Sequence, residues 1–287
     1  MTAFREDMLR PLTDAEHETL RSQGYLVYKS EAVAAFRDDV VSSLQHISLQ
    51  LLHHLGVDTQ PLRSLTYDDL LGWCLTNETD QRYTRLLYEM YQSTAAVISL
   101  INHPLPLFLA RQAGVRVPLP GTLPTIRIDR PGVTKYLTSA HQDHWYSLVS
   151  KRAVVLWLPL VALRRDMGLL GVVPGSHKHG LHPFEDAGTY TFKIRDDYPA
   201  ADYVECDMAG RDEILMFDQF LVHRSGTNEG RLPRVTMQLR FHDLEAMDEV
   251  APTFTAVTSK YVTERQKALL LGTAAPPQGG ADRRTRR

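Results

Sequence analysis

Cysteine is scarce in this chain: two in 287 residues, Cys74 and Cys206, far apart. Neither belongs to a metal-type or redox-type spacing, so disulfide scaffolds and thiolate metal sites are excluded. Both thiols are expected to be reduced, as in a cytoplasmic protein. The N-terminal MTAFREDMLR has mixed charge and no apolar centre, unlike a signal peptide. No apolar run approaches the roughly 20 residues of a membrane span, so no membrane association is expected. Basic excess is also missing, since the formal net charge is −2. The one basic run, Arg283-Arg284-Thr285-Arg286-Arg287, follows Pro276-Pro277-Gln278-Gly279-Gly280 and reads as a solvated tail. A nucleic-acid partner is therefore not expected. No Gly/Ser-rich or Pro-rich linker divides the chain. The expectation is one domain over 1–273, with a disordered tail over 274–287.

With 43% apolar and 23% charged residues, the chain has ample material for a core. Its two halves differ in pattern. Thr13-Asp14-Ala15-Glu16 is a capping-box sequence that starts a helix ending at Gly24. Tyr25–Tyr28 reads as a strand. Val33, Phe36, Val40, Val41, Leu44, Ile47 and Leu51 recur at helical spacing over 31–55. Two or three further helices are expected between Tyr67 and Ala113.

From about Pro124 the chain becomes short β-branched and aromatic segments separated by Gly, Pro and Asp. Strands are expected at 125–128, 138–143, 153–160, 169–173, 190–193, 203–206, 213–217, 221–225 and 234–243, with a last helix over 259–271. The fold class implied is mainly β with flanking helices: a helical half, 1–120, packed on a β core, 120–245. The segment from Arg234 alternates strictly. Arg234, Thr236, Gln238 and Arg240 share one face, while Val235, Met237, Leu239 and Phe241 share the other. A polar inner face suits a barrel that holds a charged ligand.

Ser139-Ala140-His141-Gln142-Asp143-His144-Trp145 contains an HxD pair. On a strand, His141 and Asp143 project to one side. His223 lies 82 residues beyond His141. Two imidazoles and one carboxylate leave coordination positions open, the arrangement that suits non-haem Fe(II). An isolated HxD is commonplace, so the partner segment decides. His223-Arg224-Ser225-Gly226-Thr227-Asn228-Glu229-Gly230 has turn composition. A hairpin symmetric about 228 and 229 would set His223 opposite Arg234, with Ser225 on the same face. A guanidinium and a hydroxyl there could bind a carboxylate, the guanidinium bidentately. Arg127, on the strand before the HxD pair, is a candidate contact to the prime substrate or to the keto-acid end of the cosubstrate. A salt bridge to Asp129 explains it equally well.

At these residues the sequence resembles the phytanoyl-CoA dioxygenase family of Fe(II)/2-oxoglutarate oxygenases, over about 120–245. The resemblance rests on His141-Gln142-Asp143, Val155-Leu156-Trp157-Leu158-Pro159-Leu160, Gly171-Val172-Val173-Pro174-Gly175-Ser176-His177, Asp212–Phe217, His223 and Arg234. It implies a double-stranded β-helix of jelly-roll, cupin-like type. It implies an oxygenase that uses Fe(II), 2-oxoglutarate and O2, with iron held by His141, Asp143 and His223. It assigns the far carboxylate of 2-oxoglutarate to Arg234 and Ser225, and a pocket wall to Trp157.

Two features depart from the pattern or refine it. Asp166-Met167-Gly168 stands where many relatives have Glu-Asn-Gly, which alters a turn rather than the chemistry. Asp143 is a carboxylate where halogenating relatives have a small residue, which favours hydroxylation. His177, His179 and His182 fall in a structural loop of the family, and His144 falls on the wrong side of a regular strand. His53 and His54 read as ordinary helix residues. Asp218 is either a support for a ligand or a turn residue. The prime substrate is expected to be a small or mid-sized metabolite. A metal-dependent barrel enzyme of another class, or a non-catalytic 2-oxoglutarate sensor, are the competing readings.

Overall fold

Thr13 caps the first helix as its spacing predicts. Its Oγ1 accepts from Glu16 N at 3.2 Å, and the Glu16 carboxylate accepts from Thr13 N at 2.8 Å. The computed structural model describes residues 3–135, 137–147, 150–187 and 192–246. Helix α1 (Asp14–Gln23) ends at Gly24, whose φ of +80° favours glycine, and strand β1 (Tyr25–Lys29) follows. Ser30 caps α2 (Glu31–His54), which buries Val33, Phe36, Val40, Leu44 and Leu52. Four helices then stand where two or three were expected: α3 (Tyr67–Asn77), α4 (Arg82–Ser93), α5 (Ala95–Ile98) and α6 (Pro104–Gln112). Extended backbone at Thr94 and His103 divides the last three, and proline at the first position of α6 sets its start.

The β half comprises β2 (Pro118–Pro120), β3 (Thr125–Asp129), β4 (Ala153–Pro159), β5 (Leu170–Val172), β6 (Phe184–Asp186), β7 (Phe192–Ile194), β8 (Val204–Cys206), β9 (Glu213–Asp218), β10 (His223–Ser225) and β11 (Arg234–Asp243). A short helix, α7 (His144–Ser147), precedes β4. The larger sheet runs β1-β9-β4-β11-β2, with β3 also paired to β11. The smaller one runs β10-β5-β8, and β6 pairs with β7. All pairings are antiparallel. These sheets are the strand layers of the double-stranded β-helix, with helices α2, α4 and α6 against β9, β3 and β4.

β11 carries the division of faces that its alternation implies. Val235, Met237, Leu239 and Phe241 join one apolar cluster with Phe36, Leu70 and Leu87 of the helices. Each such burial contributes roughly 1.5–3 kcal/mol. Gln92 of α4 fastens helix to sheet by donating to Ile126 O and accepting from Ile126 N. The other face of β11 holds Arg234, Thr236, Gln238, Arg240 and His242. Its register sets Arg234 opposite Asp129, Thr236 opposite Arg127 and Gln238 opposite Trp157.

Two expectations fail. Residues 138–143 form no strand: His141 makes one isolated bridge to His223, and the chain then turns into α7. β10 and β11 are not a hairpin either. β10 pairs with β5, placing His223 opposite Val172, whereas β11 lies in the other sheet. The connecting segment crosses between layers because the 165–169 turn captures it. Glu229 N donates to Asp166 O at 2.7 Å and Gly226 N to Leu169 O at 3.0 Å. Gly168 permits this approach: its φ is +73°, and a Cβ there would meet the Gly226 carbonyl carbon at 2.4 Å.

Smaller differences are strands at 118–120 and 184–186 that the pattern did not show. Of the segment expected at 190–193, residues 190–191 lie outside the described residues, and a strand runs over Phe192–Ile194. The helix expected over 259–271 and the tail 274–287 lie outside the described residues. Among those residues no single helix is long and apolar enough to cross a membrane; α4 with 95–112 passes by composition only as a pair bent by 54°.

Candidate active site

His141, Asp143 and His223 converge. One ligand atom from each lies within 4.8 Å of the others, and all three residues are buried. Asp143 Oδ1 is 3.5 Å from His141 Nε2 and 3.9 Å from His223 Nε2. The imidazole centroids stand 4.1 Å apart.

Main-chain contacts bring them there. His141 N donates to His223 O at 2.9 Å, and His223 N returns the bond to His141 O at 3.1 Å. Between His141 and Asp143, the buried Gln142 side chain anchors the segment. Its Nε2 donates to Phe220 O at 2.6 Å and Gly180 O at 2.9 Å, and its Oε1 accepts from His182 N at 2.9 Å. Asp143 thus joins His141 through a turn, not through strand alternation.

Both rings are oriented for ligation. His141 Nδ1 lies 2.8 Å from Ser139 O, and His223 Nδ1 lies 3.0 Å from Leu221 O. A carbonyl only accepts, so each Nδ1 carries the proton and each Nε2 presents its lone pair to the centre. Burial, followed by the neighbouring His141 ring, pushes His223 down to about 3, so it stays neutral. Burial works against ionisation of Asp143, but the Arg240 guanidinium and the two imidazoles outweigh it and hold the carboxyl well below its ordinary range. Two imidazoles and one carboxylate are the donor set that suits non-haem Fe(II).

A second polar cluster lies at the other end of β11. Arg234, 2% exposed, donates from Nε and NH2 to Asp129 Oδ2 at 3.2 and 2.9 Å, and from NH1 to Gly226 O at 3.3 Å. Arg127 donates to Asp129 Oδ1 at 2.9 Å and Thr138 Oγ1 at 2.7 Å. Ser225 N donates to Thr138 O at 3.1 Å. The expected anion-binding residues Arg234, Ser225 and Arg127 therefore gather through Asp129, Thr138 and Gly226. Burial opposes ionisation of Asp129 and the two guanidinia overcome it, leaving its pKa lowered. Trp157, opposite Gln238 and Leu215, lies on the inner face of β4 and is 2% exposed.

The remaining histidines go elsewhere. His144 packs on Phe220 with centroids 4.6 Å apart. His177 Nε2 meets Arg21 O at 3.0 Å, and His182 Nε2 meets Tyr198 Oη at 2.7 Å. His53 and His54 sit exposed at the end of α2. Asp218 serves a turn, its Oδ1 accepting from Phe220 N at 2.7 Å.

Arg240 and Asp129 are the site residues that sequence reasoning underused. The alternation of β11 placed Arg240 on the inner face but offered it no partner, because the path of the HxD segment was misread. Asp129 entered only as a salt-bridge partner for Arg127; its link to Arg234 depended on the register of β3 against β11.

Residues 109–236 match the family model described as phytanoyl-CoA dioxygenase (PhyH). No curated protein matches. Among solved structures, the non-heme monooxygenase ThoJ in its apo form is similar at 16% identity, over 79% of this chain and 76% of that one, with a TM-score of 0.51. The epimerase SnoN, in complex with Fe3+, alpha ketoglutarate and nogalamycin RO, is similar at 16% identity, over 86% and 93%, also with a TM-score of 0.51. Both likenesses are of fold.

Proposed function

We propose that this chain is a non-haem Fe(II)/2-oxoglutarate-dependent oxygenase of the phytanoyl-CoA dioxygenase family, whose model its residues 109–236 match, and that it hydroxylates an aliphatic carbon of a small or mid-sized metabolite. Fe(II) is its cofactor, and 2-oxoglutarate and O2 are its cosubstrates. The observation that carries the site assignment is the convergence of one ligand atom each from His141, Asp143 and His223 within 4.8 Å.

In this reading Nε2 of His141, Nε2 of His223 and Oδ1 of Asp143 hold the iron. When bound, the iron couples oxidative decarboxylation of 2-oxoglutarate, giving succinate and CO2, to oxidation of the prime substrate. Arg234 and Ser225 bind the far carboxylate of 2-oxoglutarate, with Asp129 fixing the guanidinium. Arg127 contacts the keto-acid end or the prime substrate from the inner face of β3. Trp157 walls the pocket and excludes water. Asp143 supplies a carboxylate where halogenating relatives have a small residue, which supports hydroxylation over halogenation.

Anaerobic protein supplied with Fe(II) and 2-oxoglutarate is expected to develop a weak visible charge-transfer band. On admission of O2 with a panel of small metabolites, succinate should form and a product should gain one oxygen atom. Zinc bound tightly with no such band would point to a metal enzyme of another class. A band without succinate across a broad panel would point to a sensor. A product lacking the added oxygen would sink hydroxylation while sparing the oxygenase class.

A further inference from the structure

We infer that Arg240 is a positioning residue that holds Asp143 to coordination through a single oxygen, so that three positions of a bound metal stay open. This rests on the iron-centre reading above.

The geometry is a fork on a carboxylate. Arg240 Nε donates to Asp143 Oδ2 at 3.0 Å, and its NH2 donates to Oδ1 at 3.1 Å. The same NH2 donates to Gln238 Oε1 at 2.7 Å, so the neighbour on the inner face of β11 steadies the fork. The Arg240 side chain is 12% exposed and that of Asp143 only 2%. Water has little access with which to replace these bonds.

An ionised carboxylate has two lone pairs on each oxygen. A side-on fork engages the inward-leaning pair of each oxygen. A metal bound by both oxygens would need those same two pairs. The guanidinium and two-oxygen coordination are therefore mutually exclusive. What remains is the outer pair of Oδ1, the oxygen that already faces Nε2 of His141 and of His223 at 3.5 and 3.9 Å. Arginine suits the task because its planar fork cannot be deprotonated, whereas a lysine ammonium is a point charge that reaches one oxygen at a time. Loss of the fork would free Oδ2 to swing onto the metal and consume one open position.

The test counts bound water. Wild type, Arg240→Met and Arg240→Lys are loaded with Mn(II) alone, and water on the ion is counted from 17O broadening in electron paramagnetic resonance. Mn(II) affinity and thermal melting are measured in parallel. Three waters are expected in wild type and two in each variant, with Mn(II) affinity retained within about threefold, a change of under about 1 kcal/mol. Arg240→Lys keeps the charge and guards against a folding failure in Arg240→Met. Three waters in a folded variant would overturn the proposal, and so would loss of Mn(II) binding in a variant with unchanged melting. A wild type that fails to bind Mn(II) with three waters would instead sink the iron-centre reading itself.

Discussion

Arg234 and Asp129 face one another across β11 and β3, and a single carboxylate oxygen of Asp129 takes both Nε and NH2 of the guanidinium. That pairing commits the Nε edge of the arginine to Asp129, while NH1 donates to Gly226 O at 3.3 Å. Asp129→Ala would strand Arg234, 2% exposed, without its counter-charge. Breaking a buried pair in this way costs about 3–5 kcal/mol, and urea unfolding should show a loss of that order. An unfolding midpoint unchanged from wild type would mean that the pair contributes nothing to stability.

Arg234→Ala is expected to weaken 2-oxoglutarate binding by more than about tenfold, the equivalent of one charge-assisted bond of roughly 1.5–3 kcal/mol. Titration of the anaerobic charge-transfer band measures this directly. Fe(II) affinity should stay near wild type, because the ligand triad is untouched. Loss of metal rather than of cosubstrate would move Arg234 out of the pocket.

Gly168→Ala tests the crossing loop. With φ at +73° and the Gly226 carbonyl carbon 2.4 Å from the added methyl, the substitution forces the chain beside Ser225 to shift. Stability should fall by more than about 1 kcal/mol, and affinity for 2-oxoglutarate should fall with it. Full cosubstrate affinity in a folded variant would separate the loop from the anion site.

His242 gives the chain an acid-sensitive term. Burial, then the nearby His144, pushes it down to about 3 from an ordinary value of 6.5. The folded state therefore keeps it neutral while the unfolded chain takes up a proton below about 6.5. This contribution is complete above that pH and declines as pH falls towards 3. Between pH 7 and 5 the loss amounts to about 2 kcal/mol at most. Urea midpoints compared at those two values should show a shallower decline in His242→Gln than in wild type.

Local patterns with a strong physical signature were legible before any coordinates. The capping box at Thr13 and the alternation of β11 follow from short-range chemistry, and the set of His141, Asp143 and His223 from residue type together with the family resemblance. The segment around His141 was not, because it reads as a strand by composition while its neighbours bend it into a turn that Gln142 anchors. The connection after Ser225 failed for a related reason. Its Gly-Asn-Gly composition fits a hairpin equally well, and only the partnership with Asp166 and Leu169 sends it to the other sheet. Arg234, Ser225 and Arg127 do lie near one another, but Arg234 arrives opposite Asp129, not opposite His223. Long-range pairing, rather than residue type, was what the linear pattern withheld.

His141 and His223 are oriented by the peptide chain itself, each ring tethered to the carbonyl two residues before it. A carbonyl fixes each Nδ1, so that bond does not depend on which side chain stands beside it. Residues around the cavity are then free to vary in size and polarity without unsettling the ring tautomers. A protein built this way can exchange one substrate for another by repainting its walls, with the grip on the metal carried along unchanged.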